Sequence, residues 1–464
     1  MSHRLHRSVL SIDVGTSGVR VALFDEHGRQ VEGAQSARHG ASDFAEVNPD
    51  LLVDGVVKTI DDLLARTGTG KAQVETFAIS TFWHSLMGVD ANGNPTTRLL
   101  TWADTRAIQQ TTELREEFDE AEIHARTGCR FHPSYWPAKL RWLKAEQPDK
   151  FNATHQWLGF AEYLCSRLFG DASASVSMAS ATGLFNQRTC DWDREFIRQI
   201  GVPLETLPRI YTDKTRIVVG DGAANNIGGG CTTKDKVALM IGTSGAMRVV
   251  FAGEPPTNLP PSLWSYRVSN DRVVVGGALS DGGGLIRWLV QSLNTNDLHK
   301  ELAMCEPDAH GLTILPFWSG ERSTGWSAEA SGGIFGLRQQ TTTVEIIRAA
   351  LESIAYRFAL IAEALDEIAP GATVIATGNA LRSSPAWLQI IADVLGRPVM
   401  FGGSPEASIR GAALLALEAV GKIGSIEEVS VSVDEVFEPD IQRYARYREG
   451  LARQEDLYAR LLGR

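Results

Sequence analysis

At 464 residues the chain exceeds the roughly 250–300 residues beyond which a single hydrophobic core stops growing, so two domains are expected. Its 43% hydrophobic and 22% charged residues describe an ordinary globular protein, and a net charge of −11 without a Lys or Arg run argues against nucleic acid as a partner. No apolar run approaches the roughly 20 residues of a membrane-crossing helix. Asp13 interrupts the apolar stretch after the basic N-terminus, so no cleaved signal peptide is expected, and five scattered cysteines without Cys-x-x-Cys spacing fit reduced thiols in a cytoplasm.

Residues 8–36 read as a β-meander, with turns at 15–18 and at Glu26-His27-Gly28. A helix should follow Asn48-Pro49-Asp50, where Asn or Asp caps and Pro occupies the first turn. Residues 74–80 form a short apolar strand, and strands alternating with helices mark an α/β protein. The segment from about 111 to 207 is helix-rich and carries Trp136, Trp142, Trp157 and Trp192, as a substrate-side elaboration would. Ile217-Val218-Val219-Gly220 is a strand running into Asp221, a helix follows from about Ala223, and Gly228-Gly229-Gly230 ends it. The domain boundary is placed just beyond, near Thr232 to Asp235, giving 1–232 and 233–464. The second half repeats the theme: strands from Val237, a helix over 344–368, a strand over 373–377 and a helix over 385–395. A cleft should separate the two lobes.

Gly-Thr-Ser-Gly occurs twice, at Gly15-Thr16-Ser17-Gly18 and at Gly242-Thr243-Ser244-Gly245, each time between two apolar runs. Any one copy could be only a turn. Two copies in matching contexts, half a chain apart, look like one ancestral unit written twice. A strand-turn-strand hairpin of small residues offers backbone N–H groups and hydroxyls to an anion such as phosphate, and two facing hairpins would grip a polyphosphate from both sides. Neither copy has P-loop spacing or opens a helix as a dinucleotide fingerprint does.

The most specific stretch is Gly332-Gly333-Ile334-Phe335-Gly336-Leu337, then seven residues, then Glu345-Ile346-Ile347-Arg348-Ala349-Ala350-Leu351-Glu352. It resembles the second signature of the FGGY carbohydrate kinases, sugar kinases of the actin-like ATPase superfamily. Lys139-Leu140-Arg141-Trp142-Leu143 resembles part of the first signature, and Gly320-Glu321-Arg322 with Trp326 resembles the loop before the second, with Thr324 in place of its usual proline. The resemblance spans about residues 8–418. It implies two actin-like (ribonuclease H-like) ATPase domains related by internal duplication around a cleft. It also implies phosphoryl transfer from ATP with Mg2+ to a small sugar or sugar-acid substrate; homodimers are common among such relatives. His84-Ser85-Leu86-Met87-Gly88-Val89-Asp90, Thr101-Trp102-Ala103-Asp104-Thr105-Arg106 and the extended second hairpin look most like gluconokinases. A ketopentose such as xylulose, or another polyol, is the alternative substrate, kept open by Trp83 where related kinases carry methionine. A non-enzymatic sensor derived from a kinase is a further alternative.

Phosphoryl transfer to an alcohol needs in-line positioning, neutralised γ-phosphate charge and a carboxylate that takes the hydroxyl proton. Asp221, between two glycines at a strand end, is the candidate catalytic base, with capping of the following helix as the lesser alternative. The resemblance puts Asp13 at a magnesium ion, bound through water. It puts Gly15, Thr16, Ser17, Arg20, Gly242, Thr243 and Ser244 at the β- and γ-phosphates, and Gly378 and Asn379 at the adenosine. Thr377 and Asn379 stand where the family shows more glycine. Trp83, His84, Asp104 and Arg106 are the candidate sugar contacts, with Arg106 as the cation for a carboxylate substrate. Trp387 falls on an apolar helical face and reads as core. Asp281 before three glycines lies in a loop expected near the phosphates.

Overall fold

The computed structural model describes residues 8–15, 18–35, 45–68, 74–213, 215–295, 299–402, 406–430 and 432–463. Two sheets organise it. The first runs, edge to edge, Ile217–Gly220, Val74–Thr81, Ser8–Gly15, Gly18–Phe24, Gln30–Gln35. Its first three strands are parallel and the rest antiparallel, a meander with parallel strands added on one side. The second runs Trp264–Ser269, Arg272–Leu279, Gly245–Ala252, Lys236–Ile241, Thr373–Thr377, Val399–Gly402, Val433–Phe437, again antiparallel strands followed by two parallel ones, with Val433–Phe437 added antiparallel at the edge. The shared order shows the duplication, and the fold is the α/β pair of actin-like domains that the sequence suggested.

Ser8–Gly15 is buried along nearly its whole length rather than on alternate residues, because helices cover both faces of its sheet. One cover is Pro49–Thr67, which starts as expected: Pro49 opens it, Asn48 Oδ1 accepts from the Asp50 amide at 3.0 Å, and left-handed Gly68 ends it. The other cover comes from the far half of the chain. Ala407–Ala419 buries Ile409, Ala412 and Leu417 in the same core as Ile12 and Ile79, and Ser11 Oγ donates to the Ile409 carbonyl at 2.7 Å. This helix crosses Asp221–Gly228 almost backbone to backbone. A Cβ on Gly411 would lie 1.8 Å from the Ala224 carbonyl oxygen, and one on Gly228 would lie 1.8 Å from that of Ala407. A segment numbered within 233–464 therefore completes the first lobe's core.

The second lobe closes around Thr343–Asp366, whose Thr342 and Glu345 form a reciprocal capping box, with Trp387 buried against it. Residues 108–207 build a smaller satellite core around Trp136, Trp157 and Trp192. An aromatic seam joins the lobes: Trp264 stacks on Tyr266 at 4.3 Å, Trp83 meets Tyr266 edge-on at 5.1 Å, and the Tyr135 and Tyr266 hydroxyls are 2.6 Å apart.

Candidate active site

A cavity of about 1220 Å³ lies between the lobes, and both Gly-Thr-Ser-Gly hairpins open into it. Among the described residues, Asp13 and Asp221 are its only acidic lining groups, against Arg20, Arg248, Arg287, Arg322 and Arg382. The site is thus locally cationic within an acidic chain, as a polyanionic ligand requires.

On the first hairpin, Asp13 pairs across the strands with Arg20. Ser80 Oγ donates to its Oδ1 at 2.9 Å and Arg20 Nη1 to its Oδ2 at 3.1 Å. Burial holds the Asp13 carboxyl above its ordinary range, against the pull of Ser80 and Arg20. Gly15 lines the cavity, whereas Thr16 and Ser17 lie outside the described residues. On the second hairpin, Gly242, Thr243, Ser244 and Gly245 all line it. The start of the helix Gly283–Ser292 braces that turn: the amides of Gly282 and Gly284 donate to the Thr243 carbonyl, and that of Gly283 to the Gly242 carbonyl. Asp281 is absent from the cavity lining among the described residues, because its carboxylate accepts from the Ser319 amide and hydroxyl.

Asp221 begins the helix Asp221–Gly228 where the strand Ile217–Gly220 ends. Its Oδ1 accepts from the adjacent Gly222 amide at 2.7 Å, the N-cap position belongs to Gly220 without a side-chain cap, and Asp221 lines the cavity. Burial, helped by the nearby Asp13 charge and opposed by Arg248, pushes its carboxyl up to about 6. The two flanking glycines have a specific reason. A Cβ on Gly220 would sit 1.8 Å from Trp83 Cε2, and one on Gly222 would sit 2.7 Å from Trp83 Cζ3. The indole thus packs directly on the Asp221 loop, its Nε1 donating to the Ser177 carbonyl at 3.2 Å. Arg248 reaches over from the second lobe, with Nε donating to Asn226 Oδ1 at 3.0 Å, and burial lowers its guanidinium to about 10.

Trp83 and His84 line the cavity, together with Trp102, Tyr135, Trp264, Tyr266, Arg322 and Trp326. Burial drops the His84 imidazole to about 3, so it is neutral at physiological pH. Its Nδ1 lies 2.7 Å from the Ala181 carbonyl; that nitrogen must carry the proton, leaving Nε2 as an acceptor. Lys139 Nζ fixes the surrounding loops by donating to the carbonyls of His84 and Thr101, both at 2.7 Å. Asp104 and Arg106 do not line the cavity among the described residues. Asp104 accepts from Arg106 Nε and Nη2 at 3.0 and 2.5 Å, while Arg106 also pairs with Glu46 and lies over the Trp142 ring at 4.5 Å. The two side chains satisfy one another and brace the loop behind Trp102.

On the second lobe, just after the strand Thr373–Thr377, Gly378 lines the cavity at φ 109°. A Cβ there would meet the Ile241 carbonyl oxygen at 2.4 Å, so position and conformation both demand glycine. Asn379 opens the short helix Asn379–Arg382, and its side chain lies outside what is described. Trp387 is core, as expected: it is 2% exposed and its indole N–H donates to the Leu351 carbonyl. Tyr135, Trp264 and Tyr266 were not anticipated from the sequence, and Trp326 was noted only as part of the Gly-Glu-Arg loop. Arg322 was visible in the Gly-Glu-Arg stretch, but nothing local showed which way it pointed.

Residues 8–228 match the FGGY family of carbohydrate kinases, N-terminal domain, and residues 237–420 match the C-terminal domain of that family. The chain is 28% identical to the gluconokinase of Bacillus subtilis, over 91% of this chain and 89% of that protein. It is 29% identical to the glycerol kinase of Polaromonas naphthalenivorans, over 91% and 92%. Two solved structures from Lactobacillus acidophilus, a gluconate kinase and a ligand-bound xylulose kinase, each superpose with a TM-score of 0.88 at 26% identity, covering 98% of both chains. The chain belongs to the FGGY family of carbohydrate kinases.

Proposed function

We propose that this chain is an ATP- and Mg2+-dependent gluconokinase of the cytoplasm that converts gluconate to 6-phosphogluconate. One observation carries the kinase chemistry: Asp221 is a cavity carboxylate held between two turn hairpins and an aromatic pocket. In this reading Asp221 accepts the proton of the attacking hydroxyl late in a loose transition state, and an oxygen is free for it because Gly222 occupies only Oδ1. The turns at Gly15 to Ser17 and Gly242 to Ser244 hold the β- and γ-phosphates, and Gly378 lets the adenosine lie against the backbone. Arg20 and Arg248 offset phosphate charge. Burial raises the proton affinity of both aspartates, and the Asp13 charge adds to it at Asp221, a setting that suits a divalent cation; Asp13 would hold Mg2+ through water, and the ion would neutralise charge on the β- and γ-oxygens. Trp83 and the His84 Nε2 acceptor receive sugar hydroxyls. Asp104 and Arg106 support that pocket from behind. By chain, the domains are 1–232 and 233–464, with 407–429 returning to the first lobe.

Gluconate is favoured because gluconokinases stand among the relatives and the sugar side of the cavity carries a cation. The test is sugar-dependent ADP release from MgATP with gluconate, xylulose, ribulose and glycerol, alongside Asp221→Asn. Turnover with gluconate, abolished by the substitution, is expected. Preference for xylulose would retain the kinase and refute the acid substrate. ATP turnover independent of any sugar would refute both.

A further inference from the structure

The cations of the cavity differ in how far the protein satisfies them. Arg20 is paired with Asp13, and Arg248 with Asn225 and Asn226. Arg382 reaches Asp434 at 4.0 Å and Arg287 is exposed to solvent, whereas Arg322 is neither paired nor free in water. Among the described residues no carboxylate lies within ion-pair distance of it, its Nη2 donates to the Leu279 carbonyl at 2.9 Å, and its Nε is buried without a hydrogen-bond partner. Four residues on, the Trp326 indole Nε1 is also buried without a partner. Buried donors lacking an acceptor are uncommon in folded proteins and ask for an explanation.

The two donors belong to one rigid turn. The Trp326 amide donates to the Arg322 carbonyl at 2.7 Å, Arg115 Nη2 donates to the Trp326 carbonyl at 2.9 Å, and Trp326 adopts φ 58°. The Arg322 guanidinium lies 5.2 Å from the Trp102 ring centre. Both side chains line the cavity. Arg322 is on the sugar side, since its charge acts on His84 and His132 as well as on Asp221.

We infer that the turn from Arg322 to Trp326 is the receptor for the carboxylate of the substrate, clasping the acid end of a sugar acid while its far hydroxyl faces Asp221. A carboxylate brings two anionic oxygens to a guanidinium and a neighbouring N–H, the pairing that charge-assisted bonds favour. A neutral polyol offers only hydroxyls there, and leaves the cation uncompensated. Burial, only partly opposed by the more distant Asp281 and Asp221 charges, holds the guanidinium below its ordinary range, a penalty that an entering carboxylate relieves. This inference rests on the gluconokinase reading and names the residues that select the acid.

The experiment compares gluconate with glucitol, which keeps the hydroxyl pattern and replaces the carboxylate with an alcohol. Steady-state kcat/KM at saturating MgATP, or competitive inhibition where turnover is slow, is measured for wild type, Arg322→Gln, Arg322→Lys and Trp326→Phe, with melting curves as the check on folding. Arg322→Gln should lower kcat/KM for gluconate about 100-fold and leave glucitol within about threefold. Trp326→Phe should remove about three- to tenfold from gluconate alone. Equal losses on both compounds, or an unchanged gluconate preference, overturn the inference while the gluconokinase reading stands. A wild type that prefers a neutral sugar overturns that reading and the inference with it. If Arg322→Gln fails to fold, the preference ratios of Arg322→Lys and Trp326→Phe decide.

Discussion

Replacing Asp221 with asparagine should stabilise the ligand-free protein while abolishing phosphoryl transfer. The carboxyl is displaced from 3.8 to about 6, which corresponds to about 3 kcal/mol at 1.36 kcal/mol per pH unit. Water in the open cavity screens part of this, leaving about 1–2 kcal/mol. Because the folded-state value lies above the unfolded one, folding above about pH 6 forces ionisation where it is disfavoured. The penalty shrinks as pH falls towards 3.8, where both states are protonated. Asparagine keeps an Oδ1 acceptor for the Gly222 amide, so that hydrogen bond survives. Thermal unfolding without nucleotide should show the variant about 1–2 °C above wild type at pH 7.5, with the gap narrowing towards pH 4.5. A variant less stable at pH 7.5, or a gap independent of pH, would refute the electrostatic account of this site.

Gly378→Ala should raise KM for ATP at least about tenfold with a smaller effect on sugar KM, because a Cβ at φ 109° meets the Ile241 carbonyl oxygen at 2.4 Å; nucleotide titration reads it. Lys139→Met leaves the carbonyls of His84 and Thr101 without their donor and should cost about 1–3 kcal/mol for each. A urea midpoint unchanged from wild type would contradict that. Gly411→Ala drives a methyl to 1.8 Å from the Ala224 carbonyl oxygen, and a loss of about 3 kcal/mol or more is expected on chemical denaturation.

The features that were legible in the sequence are those written locally. Each Gly-Thr-Ser-Gly turn is bounded by its own strands, the cap at Asn48 and Pro49 lies beside its helix, and the long match around Gly332 to Glu352 carries the family. Asp221 was legible because glycines flank it, although their reason, the Trp83 indole packed against them, links positions far apart in the chain. Arg106 misled because adjacency to Asp104 in sequence signals equally a ligand site and a self-satisfied pair. The aromatic pocket was hidden for a related reason: Tyr135, Tyr266 and Trp326 come from three distant segments, and each alone reads as core. Nor does any local pattern reveal that the apolar face of Ala407–Ala419 belongs on the other lobe's sheet.

That helix has a topological consequence. The backbone passes from the first lobe to the second after Gly228, returns before Ala407, and leaves again between Val429 and Val433. Three covalent connections hold the lobes where a simple tandem array would have one, so they can bend about a shared edge but cannot swivel freely. Cutting the gene at residue 232 would likewise yield no autonomous first half. It would have a sheet with one bare face, and its partner fragment would carry the exposed apolar stripe of Ile409, Ala412 and Leu417; only together could the two pieces close the core.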